Sequence, residues 1–225
     1  MKDVLSKFFK NKYSGTPLWF LRQAGRHIPE YFEIRKKTDS FIDFCLDSKL
    51  IVESTKLPLK YYDLDAAIVF SDILMIPWAM NRKVNFIKGI GPNLLPMIPD
   101  ETKILKNVDI FRKLEPLEMS ISILRDELPQ STSLIGFAGA PWTLACYMIE
   151  GQSSKDFINT RKALWNSNKW FMELIDTLSI YIAEKLEMQA NAGADVLMLF
   201  DSWSHMIPSN FFKECGINPT AKIIS

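Results

Sequence analysis

Histidine is nearly absent: the 225 residues contain two, His27 and His205. So few and so far apart, they do not support a histidine-built metal centre, and each is better suited to cap, pack or stack. Cysteine is equally sparse. Cys45, Cys146 and Cys215 form no CxxC pair, which argues against structural zinc and reads as three reduced thiols in a cytoplasmic protein. There is almost no net charge. The 27 basic and 26 acidic residues leave +1 and are interleaved, so neither a nucleic-acid groove nor a polybasic membrane patch is indicated. No apolar run approaches the roughly 20 residues that cross a bilayer, and the basic start M-K-D-V-L-S-K-F-F-K-N-K lacks the apolar core of a secretory signal. The phosphate-cradling GxxxxGK[ST] loop is missing, K-G-I-G-P lacks the third glycine of a dinucleotide loop, and no G-x-S-x-G elbow surrounds Ser202. Nucleotide binding and a hydrolase triad lose their support.

What is present is a chain that is 48% hydrophobic, ample for a packed core. Its elements alternate. Thr16–Leu21 predicts a first strand, followed by a short helix from Pro29 to about Lys37. Ser40 is an expected N-cap, with Asp43 completing a capping-box pattern. A helix over about 48–62 is expected to kink or end at Pro58. The continuous apolar run at 66–72 suits a strand buried on both faces, although a buried helix fits the same period. Residues 83–92 alternate up to a Gly/Pro turn and predict an inserted hairpin. After a polar linker near 99–107, helix 109–128 is expected to bury Ile110, Leu114, Leu117, Ile121 and Leu124. A strand at 134–139 precedes helical stretches at 142–149, 155–165 and 168–192. The last of these should bury Phe171, Leu174, Ile175, Leu178, Ile182 and Leu186, with Gly193 as its C-cap. A strand at 194–200 and one more helical unit at 207–225 follow. Such βα alternation predicts a parallel α/β sheet, doubly wound or closed into a barrel.

In either architecture ligands meet the carboxyl ends of the strands. Those ends select Arg22 and Arg26 in R-Q-A-G-R-H-I-P-E, then Asp72, then Tyr147 in the loop and helix after the 134–139 strand, and Ser202. A guanidinium presents a planar fork of donors that matches a carboxylate. Two of the seven arginines within five residues, around Gly25 and before Pro29, therefore point to an acidic ligand. Each of the other residues also has an ordinary structural account: Asp72 as a helix N-cap, Tyr147 as a core aromatic with a bonded hydroxyl, Ser202 as a turn residue.

Four motifs carry a further signal: R-Q-A-G-R-H-I-P-E, A-A-I-V-F-S-D-I-L, G-F-A-G-A-P-W-T-L-A-C-Y-M-I-E-G and the A-G-A-D…F-D-S-W run. In order and over essentially the whole chain, they resemble the uroporphyrinogen decarboxylase family. The resemblance implies a (β/α)8 TIM barrel, usually a homodimer, working in haem biosynthesis without metal or coenzyme. The implied reaction removes four acetate carboxyl groups from uroporphyrinogen III, giving coproporphyrinogen III and carbon dioxide. It further implies that Asp72 accepts the pyrrole N–H groups and stabilises a cationic intermediate, with Tyr147 beside it. Arg22 and Arg26 would bind carboxylate arms, and Arg22 is a family proposal for proton delivery. Gln23, Ala24 and Gly25 would contribute contacts in the same loop, and Ser202 would hydrogen-bond a substrate carboxylate. The family's downstream G-H-G motif does not occur here, so residues 1–225 are expected to be one domain cut short after about half of the eight strands, with apolar edges left uncovered at Leu18–Leu21 and Val196–Phe200. Two further readings stand beside the decarboxylase: an inactive truncated tetrapyrrole-binding fragment, and a cobalamin-linked methyltransferase of related fold, which would need His and Cys ligands for zinc.

Overall fold

The computed structural model describes residues 4–87, 89–99, 101, 105, 108–166 and 168–225. Helix α1 spans Val4–Phe9 and α2 spans Pro29–Arg35. Pro29 occupies the first turn, where its missing N–H leaves no partner wanting. Ser40 caps α3 (Phe41–Cys45), its Oγ accepting the Asp43 N–H at 2.9 Å. Asp47 caps α4 (Ser48–Lys56) by accepting from Lys49 and Leu50. A single 3-10 turn, Leu57–Lys60, follows α4, and Pro58 in it ends the α-helix as expected.

Strand β1 (Ala66–Ile68) leads to α5 (Met75–Ala79) and an antiparallel hairpin, β2 (Val84–Ile87) and β3 (Gly91–Leu94). Helix α6 (Ile110–Glu127) buries the five positions that its period selects. The 99–107 linker lies partly outside the described residues; within it, Leu105 is buried and its carbonyl accepts the Tyr181 hydroxyl. Then come β4 (Ser133–Gly139), α7 (Pro141–Glu150), α8 (Ile158–Asn166), α9 (Asn168–Asn191), β5 (Val196–Phe200) and α10 (Asn218–Ile224). All six apolar positions predicted for α9 are buried. Gly193, two residues past its end, has φ +114, the left-handed geometry of a helix stop.

The main sheet has the order β1-β4-β5. β1 runs parallel to β4 with Ala66 opposite Ser133 and Ile68 opposite Ile135. β4 is buried along its whole length, which is why its run carries no polar alternation. The fold is mixed α/β with parallel strands, the class that the alternation predicts.

Two expectations fail locally. Thr16–Leu21 is not a strand, because side chains occupy the positions that its peptides would need along β1. The Asp65 carboxylate accepts the Leu18 N–H at 2.7 Å, and the Gln23 amide bonds Ala66 and Ile68. One backbone hydrogen bond of a ladder survives, Asp65 N–H to Leu18 O at 2.9 Å. In addition, β1 stops at Ile68 rather than 72: the Phe70 N–H turns aside to Thr55 Oγ1 at 2.8 Å.

By contacts the chain divides into two compact units. The first holds Met1–Asp72, Leu114–Phe137 and Leu186–Met198; the second holds Ile73–Lys113, Ala138–Lys185 and Leu199–Ser225. In the first, Leu5, Ala66 and Ile135 pack together with Trp19, Ile68, Val196 and Met198. A second cluster joins Ile28, Ile34, Phe44, Leu50 and Leu57. Leu18, Phe20 and Leu21 remain 54, 41 and 59% exposed. In the second unit, Trp142 and Phe171 meet edge to face. There Gly151 ends α7 at φ +78, where a Cβ would stand 2.6 Å from the Leu94 carbonyl. That close approach lets Leu94 N–H donate to Gly151 O and ties the hairpin to the loop after α7.

Candidate active site

The arginine loop of the first unit is pinned at both ends. Gln23, only 4% exposed, donates from Nε2 to Ala66 O at 2.7 Å and accepts the Ile68 N–H on Oε1 at 2.9 Å. Its amide thus completes the edge of β1, and what this residue offers a ligand is its backbone. Five residues on, buried Ile28 sinks into the cluster around Phe44, and its N–H closes a turn onto Gly25 O at 3.1 Å. Between the pins, Arg22 and Arg26 are exposed and make no ion pair among the described residues. Arg125 of the same unit contrasts with them, being bound to Asp195 and to the carbonyls of Leu128, Pro129 and Thr132. A cation without an internal counter-charge is available to an external one.

Around the loop, His27 lies tilted against Tyr62 with ring centroids 6.2 Å apart, so it stacks. The Tyr61 hydroxyl donates to Glu30, which lowers the Glu30 pKa and raises that of Tyr61. Asp72 is half-buried four residues past β1. It does not cap α5, whose N-cap is Leu74 without a side-chain bond. A cleft of about 530 Å³ in this unit is lined by Lys56, Tyr61, Tyr62, Leu64, Pro129 and Thr132. It sits at the amino ends of β1 and β4, opposite to where α/β sheets place their chemistry.

In the second unit the chain leaving β5 turns through Asp201, Ser202 and Trp203 against the start of α7. Thr143, fully buried, donates from Oγ1 to Asp201 Oδ1 at 2.6 Å and accepts the Trp203 N–H at 3.1 Å. Trp142 Nε1–H donates to Trp203 O at 2.9 Å, and Ala140 N–H to Phe200 O at 2.8 Å. Ser202 is exposed at the apex. The Tyr147 and Trp203 rings lie 6.1 Å apart, and Phe157 packs on the indole at 4.7 Å. Tyr147 and Ser202 are therefore brought to one place through Trp203.

Burial raises the Asp201 pKa, with the Thr143 hydroxyl opposing. Burial also pushes the Cys146 thiol well up, and the Asp201 and Glu150 charges add to it. Cys215 is pushed up to about 12, mainly by burial. These cysteines stay protonated near neutrality and are unsuited to act as nucleophiles. Among the described residues there is no disulfide and no cluster of three or more His, Cys, Asp or Glu that would hold a metal ion. No described helix is long and apolar enough to cross a membrane.

Sequence reading missed Thr143, Asp201 and Trp203 as members of the site. The available signals were a threonine in the first turn of an otherwise apolar helix and an aspartate directly at a strand end.

Comparison with known proteins gives the family. The family model described as uroporphyrinogen decarboxylase (URO-D) matches residues 1–225. Uroporphyrinogen decarboxylase of Rickettsia felis is 42% identical over 224 residues, covering 100% of this chain and 64% of the relative. The proteins of that name from Maricaulis maris (41% over 223 residues) and Brucella anthropi (42% over 208) cover 99% and 92% of this chain. This chain covers 65% and 61% of their respective lengths, less than two thirds. Among solved structures, a methyltransferase from Methanosarcina mazei superposes with a TM-score of 0.73 at 13% identity, over 97% of this chain and 64% of that one. At that identity the likeness concerns fold alone. With its motifs in order and its whole length matched, the chain belongs to the uroporphyrinogen decarboxylase family.

Proposed function

We propose that this chain belongs to a cofactor-independent carboxy-lyase that converts uroporphyrinogen III to coproporphyrinogen III and four carbon dioxide molecules in tetrapyrrole biosynthesis, built as part of a (β/α)8 barrel. The observation that carries the reading is the arginine loop: two exposed guanidinium groups, without internal ion pairs among the described residues, in a chain that the family model matches throughout.

The substrate explains this residue set. A porphyrinogen has carboxylate arms around its rim and four pyrrole N–H donors at its centre. Arg22 and Arg26 bind rim carboxylates through bidentate forks, with the backbone of Gln23, Ala24 and Gly25 shaping the loop between them. Ser202 donates to another carboxylate. Asp72 accepts from the pyrrole N–H groups, and Tyr147, from the family motif in which it stands, is a further catalytic residue. Protonation of a pyrrole carbon makes the ring cationic, and the fixed carboxylate of Asp72 stabilises that cation. The electron pair released as the acetate arm loses carbon dioxide flows into the ring and neutralises it. A proton delivered to the remaining methylene carbon completes the methyl group, and loss of the proton first placed on the ring carbon restores the neutral aromatic pyrrole, so that each arm takes up one proton in all. The substrate is its own electron sink, so the protein contributes placement and charge. We further propose that the protein acts in the cytoplasm and as a homodimer.

The test is anaerobic incubation of the chain with uroporphyrinogen III, followed by separation of the products by their number of carboxyl groups. Appearance of hepta- to tetracarboxylic products is expected. Binding without any loss of carboxyl groups would leave a tetrapyrrole-binding protein instead. The methyltransferase reading has no comparable support, since the shared fold carries no chemistry by itself.

A further inference from the structure

We propose that Thr143 is a positioning residue for Ser202, acting through Asp201 and Trp203, an assignment that rests on Ser202 contacting a substrate carboxylate as given above. Ser202 makes no side-chain hydrogen bond among the described residues, so its place is set by its two neighbours in sequence. One oxygen holds both. Thr143 Oγ1 gives its proton to Asp201 Oδ1 (2.6 Å) and takes the Trp203 N–H (3.1 Å). The turn is also tied internally and to α7: Ser204 Oγ–H donates to Asp201 O at 3.0 Å, and Trp142 Nε1–H to Trp203 O at 2.9 Å.

The composition of α7 supports this role. Trp142, Leu144 and Ala145 beside Thr143 are all fully buried and apolar. A valine would fill the same volume without taking a hydroxyl out of water, so a hydroxyl here has to be matched by internal partners. It is matched twice, once as donor and once as acceptor. The consequence is register. The turn after β5 is fixed on the helix that carries Tyr147, whose ring faces Trp203. A hydroxyl that must meet a carboxylate gains from such fixation, because misplacement by about 1 Å weakens the contact steeply.

The experiment is a double-mutant cycle on the 225-residue chain, reading anaerobic equilibrium binding of uroporphyrinogen III alongside cooperative thermal unfolding. Ser202→Ala is expected to weaken binding about tenfold, the loss of one hydrogen bond to a charged group. Thr143→Val should weaken it to a similar extent, and the double variant should be no weaker than Ser202→Ala alone, since both remove the same contact. Thr143→Ser, which keeps the hydroxyl, should restore most of the binding. Additive losses, or a Ser variant as impaired as the Val variant, would assign the effect to packing and overturn the proposal. If Thr143→Val does not fold, Asp201→Ala, which cuts one of the two bonds, takes its place in the same cycle. A parent chain that takes up no uroporphyrinogen, or a Ser202→Ala variant that binds like the parent, would instead remove the functional reading itself, and this assignment with it.

Discussion

Gln23 stands against Ala66 as a neighbouring strand would, with its side-chain amide donating to the Ala66 carbonyl at 2.7 Å and accepting the Ile68 N–H at 2.9 Å. A planar amide thereby replaces a peptide on the edge of β1, and the arginine loop is fixed to the sheet by a side chain. Gln23→Leu would leave a buried carbonyl and a half-buried N–H without partners. We expect a loss of about 2–4 kcal/mol in urea unfolding, from about 1–3 kcal/mol for the buried carbonyl and about 1 kcal/mol for the half-buried N–H. A loss below about 0.5 kcal/mol would mean that water or backbone movement satisfies both.

A second glutamine uses the same device. Gln189, buried near the end of α9, accepts the Phe137 N–H at 2.9 Å and donates to the Phe137 carbonyl at 3.0 Å. Its Oε1 lies 2.8 Å from where a Cβ on Gly136 would stand. Gly136→Ala should therefore cost about 1–3 kcal/mol by overpacking. In a Gln189→Ala background the same substitution should cost less, because the obstructing amide is gone. Equal costs in the two backgrounds would locate the strain elsewhere.

Arg26→Lys and Asp72→Asn separate charge from geometry in the proposed reaction. Arg26 is exposed, so the lysine variant should keep parental stability to within about 0.5 kcal/mol. A point ammonium nevertheless lacks the bidentate fork, and substrate binding should weaken. Asp72→Asn keeps the shape without the charge and should lower turnover on the order of a hundredfold or more. Unchanged kinetic constants in either variant would remove that residue from the mechanism.

Asp201 makes a pH prediction. Burial raises its pKa, against the Thr143 hydrogen bond. The folded protein therefore holds this proton more tightly than the unfolded chain does. Its contribution to stability is complete below the ordinary aspartate value of about 3.9 and is lost as pH rises through the raised value. Asp201→Asn cannot ionise. Over the range just above the ordinary aspartate value, its unfolding free energy should fall less with rising pH than that of the parent. Parallel curves from urea titrations at a series of pH values would show that Asp201 ionises alike in both states.

Much of the fold was legible in the sequence. Helices α6 and α9 bury the residues that their period selects, because a helix with one apolar stripe has one way to hide it. Ser40, Pro58 and Gly193 mark helix boundaries through local chemistry that acts within a few residues. β4 could be read from its unbroken apolar run, and the hairpin from its alternation. The arginines could be singled out as candidates because their pairing around a glycine is itself a local pattern.

Other features were set by segments far apart in the chain. Thr16–Leu21 has the composition of a strand, but a strand exists only where another backbone offers its peptides. Beside β1 that place is taken by Asp65 and Gln23. The shortening of β1 depends on Thr55, fifteen residues before Phe70. Thr143 reads as one more residue of an apolar helix until the fold brings it against Asp201 and Trp203, about 60 residues later. Apolar period and capping chemistry are local, and the sequence by itself determined them. Which buried polar group meets which partner is decided only when the chain closes, because a hydrogen bond needs both ends in place and each end carries no mark of the other.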